Sequence, residues 1–592
     1  LQSIGVEECG EGKIELDGSI NDIWKTNWNQ FVEYNIQDVL LVELIDNKMQ
    51  FMNLCITFAY KALIPFDKVT SAIATSEGIM LQSLHNRKLV MPDRKSGIVD
   101  WWIRDEMYKV PQENGSTYIQ NRPPKDKGNL PFDKYVKGGH VQANPGFYKH
   151  VLSDDVESLY PRMIEQYNIS PETKVINPTQ AQKDSGTLIE SEINGIWYDK
   201  TEKGVFPEII SELFAIRKAY KQEMFKHKKG TVEYGEFQRL QHCYKIALNS
   251  IYGISINEFF HFYDVDNARA ITRGGRVLIR YLSETTNDYF QSNFHKVGPK
   301  LFPGAEPQKL TKHITALIDT DSCYYCLDEI KSKYAHQMPF PEFAIIMEEF
   351  IGDFHKKILQ IKADKKGMDQ YINFEREGVI TKMFILAKKK YLTELIQNED
   401  DFFDPPFLKV TGVEIKKSDT PSFCREWIAK AVMDIFDNMD KDKNYKMIKK
   451  IYKDFVNQPI DKIASVSSAG KFNDYSIGYD INKFKTGTMM HYKASMYTNH
   501  IIKEKKLPYM PISQGSKLKY IRTVKNNQYH AESIAWIGNY PEEFHNIFKP
   551  DYELQFKKTA LGVLERMWIV LGWTDKKTGI KLKKSKLNGF LS

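Results

Sequence analysis

The chain has 592 residues, with 83 Lys and Arg against 76 Asp and Glu, for a formal net charge of +7. That length exceeds one hydrophobic core and implies about three to five domains. The 42% hydrophobic and 13% aromatic content excludes a disordered chain, and six cysteines give no disulfide framework.

Residues 30–60 read as a helix, because Leu41, Leu44, Ile45 and Met49 recur at helical spacing. Residues 110–147 are rich in Pro, Gly and Asn, including Pro123-Pro124 and Gly138-Gly139, and read as a loop region. A short strand is expected to lead into Asp155. Residues 207–229 and 232–251 read as two helices broken at Gly230, and residues 314–326 as a hairpin. From about 416 onward the pattern is helical and Lys-rich. Cys323 and Cys326 form a C-x-x-C pair without a second Cys/His pair, so they read as two residues of a buried strand rather than a zinc site. No apolar run is long enough to span a bilayer and no signal peptide is evident.

Two acidic clusters fall in strand contexts: Asp155-Val156-Glu157-Ser158-Leu159-Tyr160-Pro161 and Ile318-Asp319-Thr320-Asp321-Ser322. Phosphoryl transfer by two metals needs hard oxygen ligands holding ions about 4 Å apart. An Asp ending one strand and an Asp in a neighbouring hairpin can converge to supply them. Alone, Asp-Thr-Asp-Ser is an ordinary turn. Between the clusters, however, Lys245, Asn249 and Tyr252 share one helical face, and Arg217 and Lys221 stand one turn apart on the preceding helix. A triphosphate needs several cations on one surface, and a guanidinium fork with a point-charge ammonium supplies them.

The order of these motifs is specific. Asp155-x-x-Ser158-Leu159-Tyr160-Pro161, Lys245-x-x-x-Asn249-Ser250-x-Tyr252-Gly253 and Asp319-Thr320-Asp321-Ser322 resemble the A, B and C motifs of family B DNA polymerases. Lys388-Lys389-Lys390-Tyr391 is similar to that family's Lys-Lys-Arg-Tyr motif. Asn168-Ile169-Ser170-Pro171-Glu172-Thr173, Tyr263-Asp264-Val265-Asp266-Asn267-Ala268 and Ile463-Ala464-Ser465-Val466-Ser467-Ser468-Ala469 resemble the T-even-phage branch. The resemblance covers nearly the whole chain.

It implies an α+β right-hand polymerase that adds dNTPs to a primer 3′-hydroxyl on a DNA template. The implied palm takes 94–206 and 256–415, the fingers 207–255 and the thumb 416–592, after a remnant of the exonuclease and N-terminal domains at 1–93. The palm is expected as an antiparallel sheet with helices on one face, the fingers as two helices, and the thumb as largely helical. Asp155, Asp321 and the Val156 carbonyl would hold two Mg²⁺ ions, with Mn²⁺ able to substitute. Asp319 would support them, and Glu377, or its competitor Glu375, would be the additional acidic residue beside the metals. Ser158, Leu159, Arg217, Lys221, Lys245 and Asn249 would hold the incoming dNTP. Tyr160 would exclude a 2′-hydroxyl and Tyr252 would pack on the nascent pair. Gly138, Gly139, Gly253, Lys388, Lys389 and Tyr391 would contact DNA.

The thumb would grip duplex phosphates, and the Lys576–Lys586 tail with Leu587-Asn588-Gly589-Phe590-Leu591 reads either as a frayed terminus or as a peptide that docks on a sliding clamp. Tyr34-Asn35-Ile36-Gln37-Asp38 resembles the third exonuclease motif, and the first two are expected upstream of Leu1. A truncated chain, a gene fragment and a split polymerase with a separate exonuclease polypeptide all remain open. The implied location is the cytoplasm of an infected bacterium. The competing readings are a protein-primed viral polymerase, an inactive DNA-binding paralogue, and an RNA polymerase or reverse transcriptase.

Overall fold

The computed structural model describes residues 1–14, 20–91, 109–111, 117–119, 138–257, 259–399, 401–413, 420–470, 481, 483–574 and 580. Pro123-Pro124 and the C-terminal clamp peptide lie outside the described residues.

The single helix expected over 30–60 is two. Helix α1 (Trp28–Met49) starts where the Asn27 side chain accepts the Gln30 N–H and ends at Gln50, whose φ of 56° breaks the run before α2 (Phe51–Ala62). Of the expected apolar stripe, Leu41 is buried, whereas Leu44 and Met49 are exposed. Helix α3 (Ala72–Asn86) is capped by Ser71 and crosses α2 closely. A Cβ on Gly78 would come 2.1 Å from the Ala62 carbonyl oxygen, so only glycine fits. Met80 of α3 enters the central core, tying this segment to the body of the protein.

The centre is a seven-stranded antiparallel sheet. Its strands are β1 (Val141–Ala143), β2 (Gly146–Val156), β3 (Thr315–Asp319), β4 (Ser322–Cys326), β5 (Phe374–Ala387), β6 (Lys390–Asn398) and β7 (Asp401–Thr411), in spatial order β7-β6-β5-β2-β4-β3-β1. The strand leading into Asp155 is therefore 11 residues long, not short. Helices α4 (Leu159–Tyr167), α5 (Val205–Met224), α6 (Val232–Ser255), α7 (Val265–Leu301) and α8 (Phe340–Lys366) lie in the intervening chain. Alternation along β2 separates two faces. Leu152 and Val156 join Ile279, Phe343 and Tyr325 in the large helix-covered core, while Val151 joins Leu317, Tyr324 and Met383 in a smaller cluster opposite. By parity Asp155 lies on the second face and Asp154 on the first, where it is buried. Cys323 is buried on the helix-covered face, Cys326 is partly exposed on the other, and both are free thiols.

The C-terminal part is less purely helical than its sequence pattern suggests. Helices α9 (Ser422–Asn438), α10 (Lys441–Val456), α11 (Met490–Lys505) and α12 (Gly562–Val570) surround a three-stranded antiparallel sheet of β8 (Ser465–Ser468), β9 (Lys517–Arg522) and β10 (Ser533–Trp536). Asn444, Ile448, Ile451 and Phe455 give α10 one buried face and leave its lysines outside. Phe384 and Leu392 share a core with Ile435 and Phe436, so the central sheet and the C-terminal part are packed together. Among the described residues, no helix is long and apolar enough to cross a membrane.

Candidate active site

Strand register brings the acidic motifs together. Asp155 stands opposite Ser322 of β4 on one side and Glu375 of β5 on the other. Asp321 occupies the turn between β3 and β4, beside Thr320 at φ 70°. The Asp321 carbonyl accepts the Val156 N–H at 3.0 Å, which lashes this turn to the end of β2. A bulge in β5 leaves Glu377 as an extra residue between the partners of Asp154 and Ser153. Its carboxylate accepts Lys409 Nζ at 3.0 Å and Ser153 Oγ at 3.4 Å.

The cluster is electrostatically crowded. Burial, then Asp321 and Glu377, push the Asp155 carboxyl up to about 8 against the pull of Lys245. Burial, Asp319 and Glu377 push Asp321 up to about 6, opposed by its backbone hydrogen bond and by Lys389. Asp319 is already engaged: Lys389 Nζ lies 2.8 Å from Oδ1, and the Tyr391 hydroxyl 3.3 Å from Oδ2.

Facing the carboxylates are α5 and α6. Gly230 turns the chain between them at φ 96°, and the Thr231 side chain caps α6. Leu213, Phe214, Leu248 and Ile251 bury one side of the pair. Arg217, Lys221, Lys245 and Asn249 line a cavity of about 450 Å³ that also contains Asp155 and Asp321. All the cations singled out in the sequence between the acidic motifs thus reach one space with the paired carboxylates.

Ser158, at φ 54°, turns the chain from β2 into α4 and sets Tyr160 at the cavity wall. The Tyr160 and Tyr252 rings lie 4.4 Å apart. Leu159 lines the cavity but its side chain is buried in the core, so any contact it makes with a nucleotide is through its backbone. Gly138 and Gly139 sit at the same end of the sheet. The Thr320 N–H donates to the His140 carbonyl at 2.8 Å, and Arg276 donates to the Gly138 carbonyl at 3.0 Å. A Cβ on Gly139 would meet Thr320 at 2.5 Å. Gly253 faces open space and Lys388 is exposed in the β5–β6 turn. Tyr391 is buried, and its hydroxyl donates to Asp319 Oδ2 at 3.3 Å. Tyr34 and Asp38 lie apart from the cavity lining and are bridged by Lys13, at 3.0 and 2.6 Å.

Among the described residues, no three His, Cys, Asp or Glu side chains gather closely enough to cage an ion by themselves. The donor set nevertheless suits Mg²⁺. That ion demands oxygen ligands and is ordinarily bound by one or two carboxylates together with substrate phosphates and water. Asp155 and Asp321 would supply the carboxylates, and burial beside further acidic groups raises the proton affinity of both.

The sequence profile of DNA polymerase family B matches residues 69–563. The chain belongs to this family. Among curated relatives, the DNA-directed DNA polymerase of Enterobacteria phage T4 is 26% identical over 90% of this chain and 62% of its own length. That of Escherichia phage RB69 is 24% identical over 95% and 66%. DNA polymerase 1 of Aeropyrum pernix is 24% identical over 93% and 49%. This family B chain therefore spans between about half and two thirds of the length of these relatives.

Several residues of this family B cavity were not singled out from sequence. Glu157 pairs with Arg217 at 3.1 Å, and Glu399 lines the cavity from the far end of β6, where its N–H donates to the Glu377 carbonyl at 2.6 Å. Lys409, outside the lining, reaches Glu377 from β7. Glu157 could have been flagged as an acidic residue inside the Asp155 motif, whereas Glu399 and Lys409 carry no local signal and appear only once the strands pair.

Proposed function

We propose that the chain is a template-directed DNA polymerase that adds dNTPs to a primer 3′-hydroxyl by two-metal phosphoryl transfer, serving phage genome replication. The observation that carries this reading is the meeting, in one cavity, of Asp155 on a strand end and Asp321 in a hairpin turn with Arg217, Lys221, Lys245 and Asn249 on two helices.

In this reading the central sheet is the palm, the α5–α6 pair the fingers, and the C-terminal part the thumb. Asp155, Asp321 and the Val156 carbonyl hold two Mg²⁺ ions, replaceable by Mn²⁺, which when bound lower the proton affinity of the primer hydroxyl and neutralise the triphosphate. Arg217, Lys221 and Lys245 bind phosphate oxygens and orient the leaving pyrophosphate in line with the attack. Asn249 and the Ser158 and Leu159 backbone complete the cradle. Glu377, whose oxygens are engaged by Lys409 and Ser153, acts as a fixed charge beside the ligands. Tyr160, braced by Tyr252, closes the sugar pocket against a 2′-hydroxyl. Gly138, Gly139, Gly253, Lys388 and Lys389 line the path of DNA, where contacts to phosphates are independent of sequence. A sliding clamp at the C-terminus and a separate exonuclease-bearing polypeptide are further partners in this reading.

The test is single-nucleotide extension of a DNA primer on a template by the full chain in Mg²⁺, offering each dNTP and each ribonucleotide. Template-matched dNTP addition supports the reading. Binding of primer–template without extension overturns it in favour of a silent DNA-binding paralogue.

A further inference from the structure

The cavity contains one carboxylate on the wrong side of its charge pattern. Glu157 lies two residues past Asp155, yet its oxygens point to the cations. Oε1 accepts Arg217 Nη1 at 3.1 Å, and Oε2 lies 3.4 Å from Arg162 Nη2. The two arginines differ. Arg162 is anchored: its guanidinium sits 3.6 Å from the centre of the Phe214 ring, and Nη1 binds Glu165 at 2.7 Å. Arg217 stands on α5 facing the cavity, with Glu157 as the acceptor of its Nη1; the Nε of both arginines is buried without a hydrogen-bond partner among the described residues. The Glu157 side chain is 36% exposed and that of Arg217 12%, so the carboxylate can swing out while the guanidinium stays.

We propose that Glu157 is a specificity-determining placeholder, which occupies Arg217 in the absence of nucleotide and is displaced from it by an incoming triphosphate. The inference rests on the polymerase reading for the identity of that ligand. The exchange is favourable for a triphosphate because a guanidinium binds phosphate oxygens through parallel charge-assisted hydrogen bonds, and Lys221 and Lys245 flank it with further positive charge. Glu157 does not become an unpaired charge when displaced, because Arg162 remains beside it. An anion of lower charge gains less from the flanking lysines and meets the same competitor. Glu157 thus sets a threshold that favours triphosphates over weaker anions. It also joins α5 to α4 before nucleotide arrives, since Arg217 and Arg162 lie on those two helices.

The test uses the full chain and two variants, Glu157→Gln and Glu157→Asp, with two readouts: KM and kcat for a matched dNTP, and calorimetric affinity for inorganic tripolyphosphate and for orthophosphate. Removing a partly exposed competing charge should lower KM by about 3- to 10-fold at low salt with kcat unchanged. Tripolyphosphate binding should tighten by a similar factor, orthophosphate binding should become measurable, and the difference between proteins should shrink as salt screens it. Glu157→Asp, which keeps the charge, should stay close to the unmodified chain. Unchanged or weakened dNTP and tripolyphosphate binding in Glu157→Gln overturns the proposal. Absence of extension by the unmodified chain, with tighter tripolyphosphate binding in Glu157→Gln, overturns the polymerase reading alone and leaves the placeholder standing.

Discussion

The two walls of the cavity are built differently. Asp155 and Glu377 sit on paired strands and Asp321 in the turn that joins β3 to β4, where register and one bulge fix their positions and burial crowds like charges together. Arg217, Lys221, Lys245 and Asn249 sit on two helices joined at Gly230, Arg217 partly buried and the other three exposed, each reaching the cavity by its own side chain. The sheet wall holds its carboxylates by strand register and stores electrostatic repulsion between them. The helical wall presents its cations on long side chains from two helices. Substitutions on the first wall should be all-or-none, whereas those on the second should be graded.

The largest effect is expected from Asp155→Asn. Extension should fall by at least about 10³-fold, as for loss of a charge-stabilising group at the reacting centre. The metal-free variant should nevertheless melt higher than the unmodified chain, because one of three crowded carboxylates is gone; a lower melting temperature would argue against stored repulsion. Arg217→Ala should raise KM for dNTP by about 10- to 100-fold through loss of charge-assisted hydrogen bonds, measured by steady-state extension. An effect as large as that of Asp155→Asn would erase the contrast between the walls. Tyr160→Ala should raise ribonucleotide incorporation relative to dNTP by about 10-fold or more, read by competing the two substrates. Lys389→Ala should weaken primer–template binding a few-fold and reduce the salt dependence by about one phosphate contact.

The subtlest expectation is a pH dependence. Asp155 rises from 3.8 to about 8 and Asp321 from 3.8 to about 6 on folding. The folded chain therefore holds protons that the unfolded chain has lost, and stability falls as pH rises from about 4 to about 8. Buried Asp154, raised from 3.8 to about 7, adds to that slope. Buried His355, lowered from 6.5 to about 3, opposes it below pH 6.5. Asp155 and Asp321 share in that slope with Asp154, and Asp155→Asn should flatten it in metal-free thermal melts.

Much of this was legible in the sequence because it is local. The i, i+4 spacing of the cations, the hairpin at 314–326 and the break at Gly230 each follow from periodicity or turn chemistry over a few residues, and the Asp-x-x-Ser-Leu-Tyr-Pro motif was legible through its resemblance to the family's. What could not be read depends on pairing. Glu375 and Glu377 are two residues apart in one strand, and only the bulge distinguishes them. Asp154 and Asp155 are chemically alike, but strand parity sends one under helix α8, near His355, and the other into the cavity. The β8–β10 sheet was hidden in a Lys-rich stretch whose short strands lack a sustained alternation. The break at Gln50 rests on a left-handed residue that glutamine seldom adopts, which no composition rule would place there.

The most direct test is a spin-resonance titration of Mn²⁺ onto the full chain with a dideoxy-terminated primer–template and a matched dNTP. Two ions bound per chain, with both sites lost or severely weakened in Asp155→Asn and in Asp321→Asn while primer–template still binds, is the result expected. Two ions retained in both variants, or no dNTP-dependent binding in the unmodified chain, would contradict the assignment of these carboxylates as the metal-holding wall.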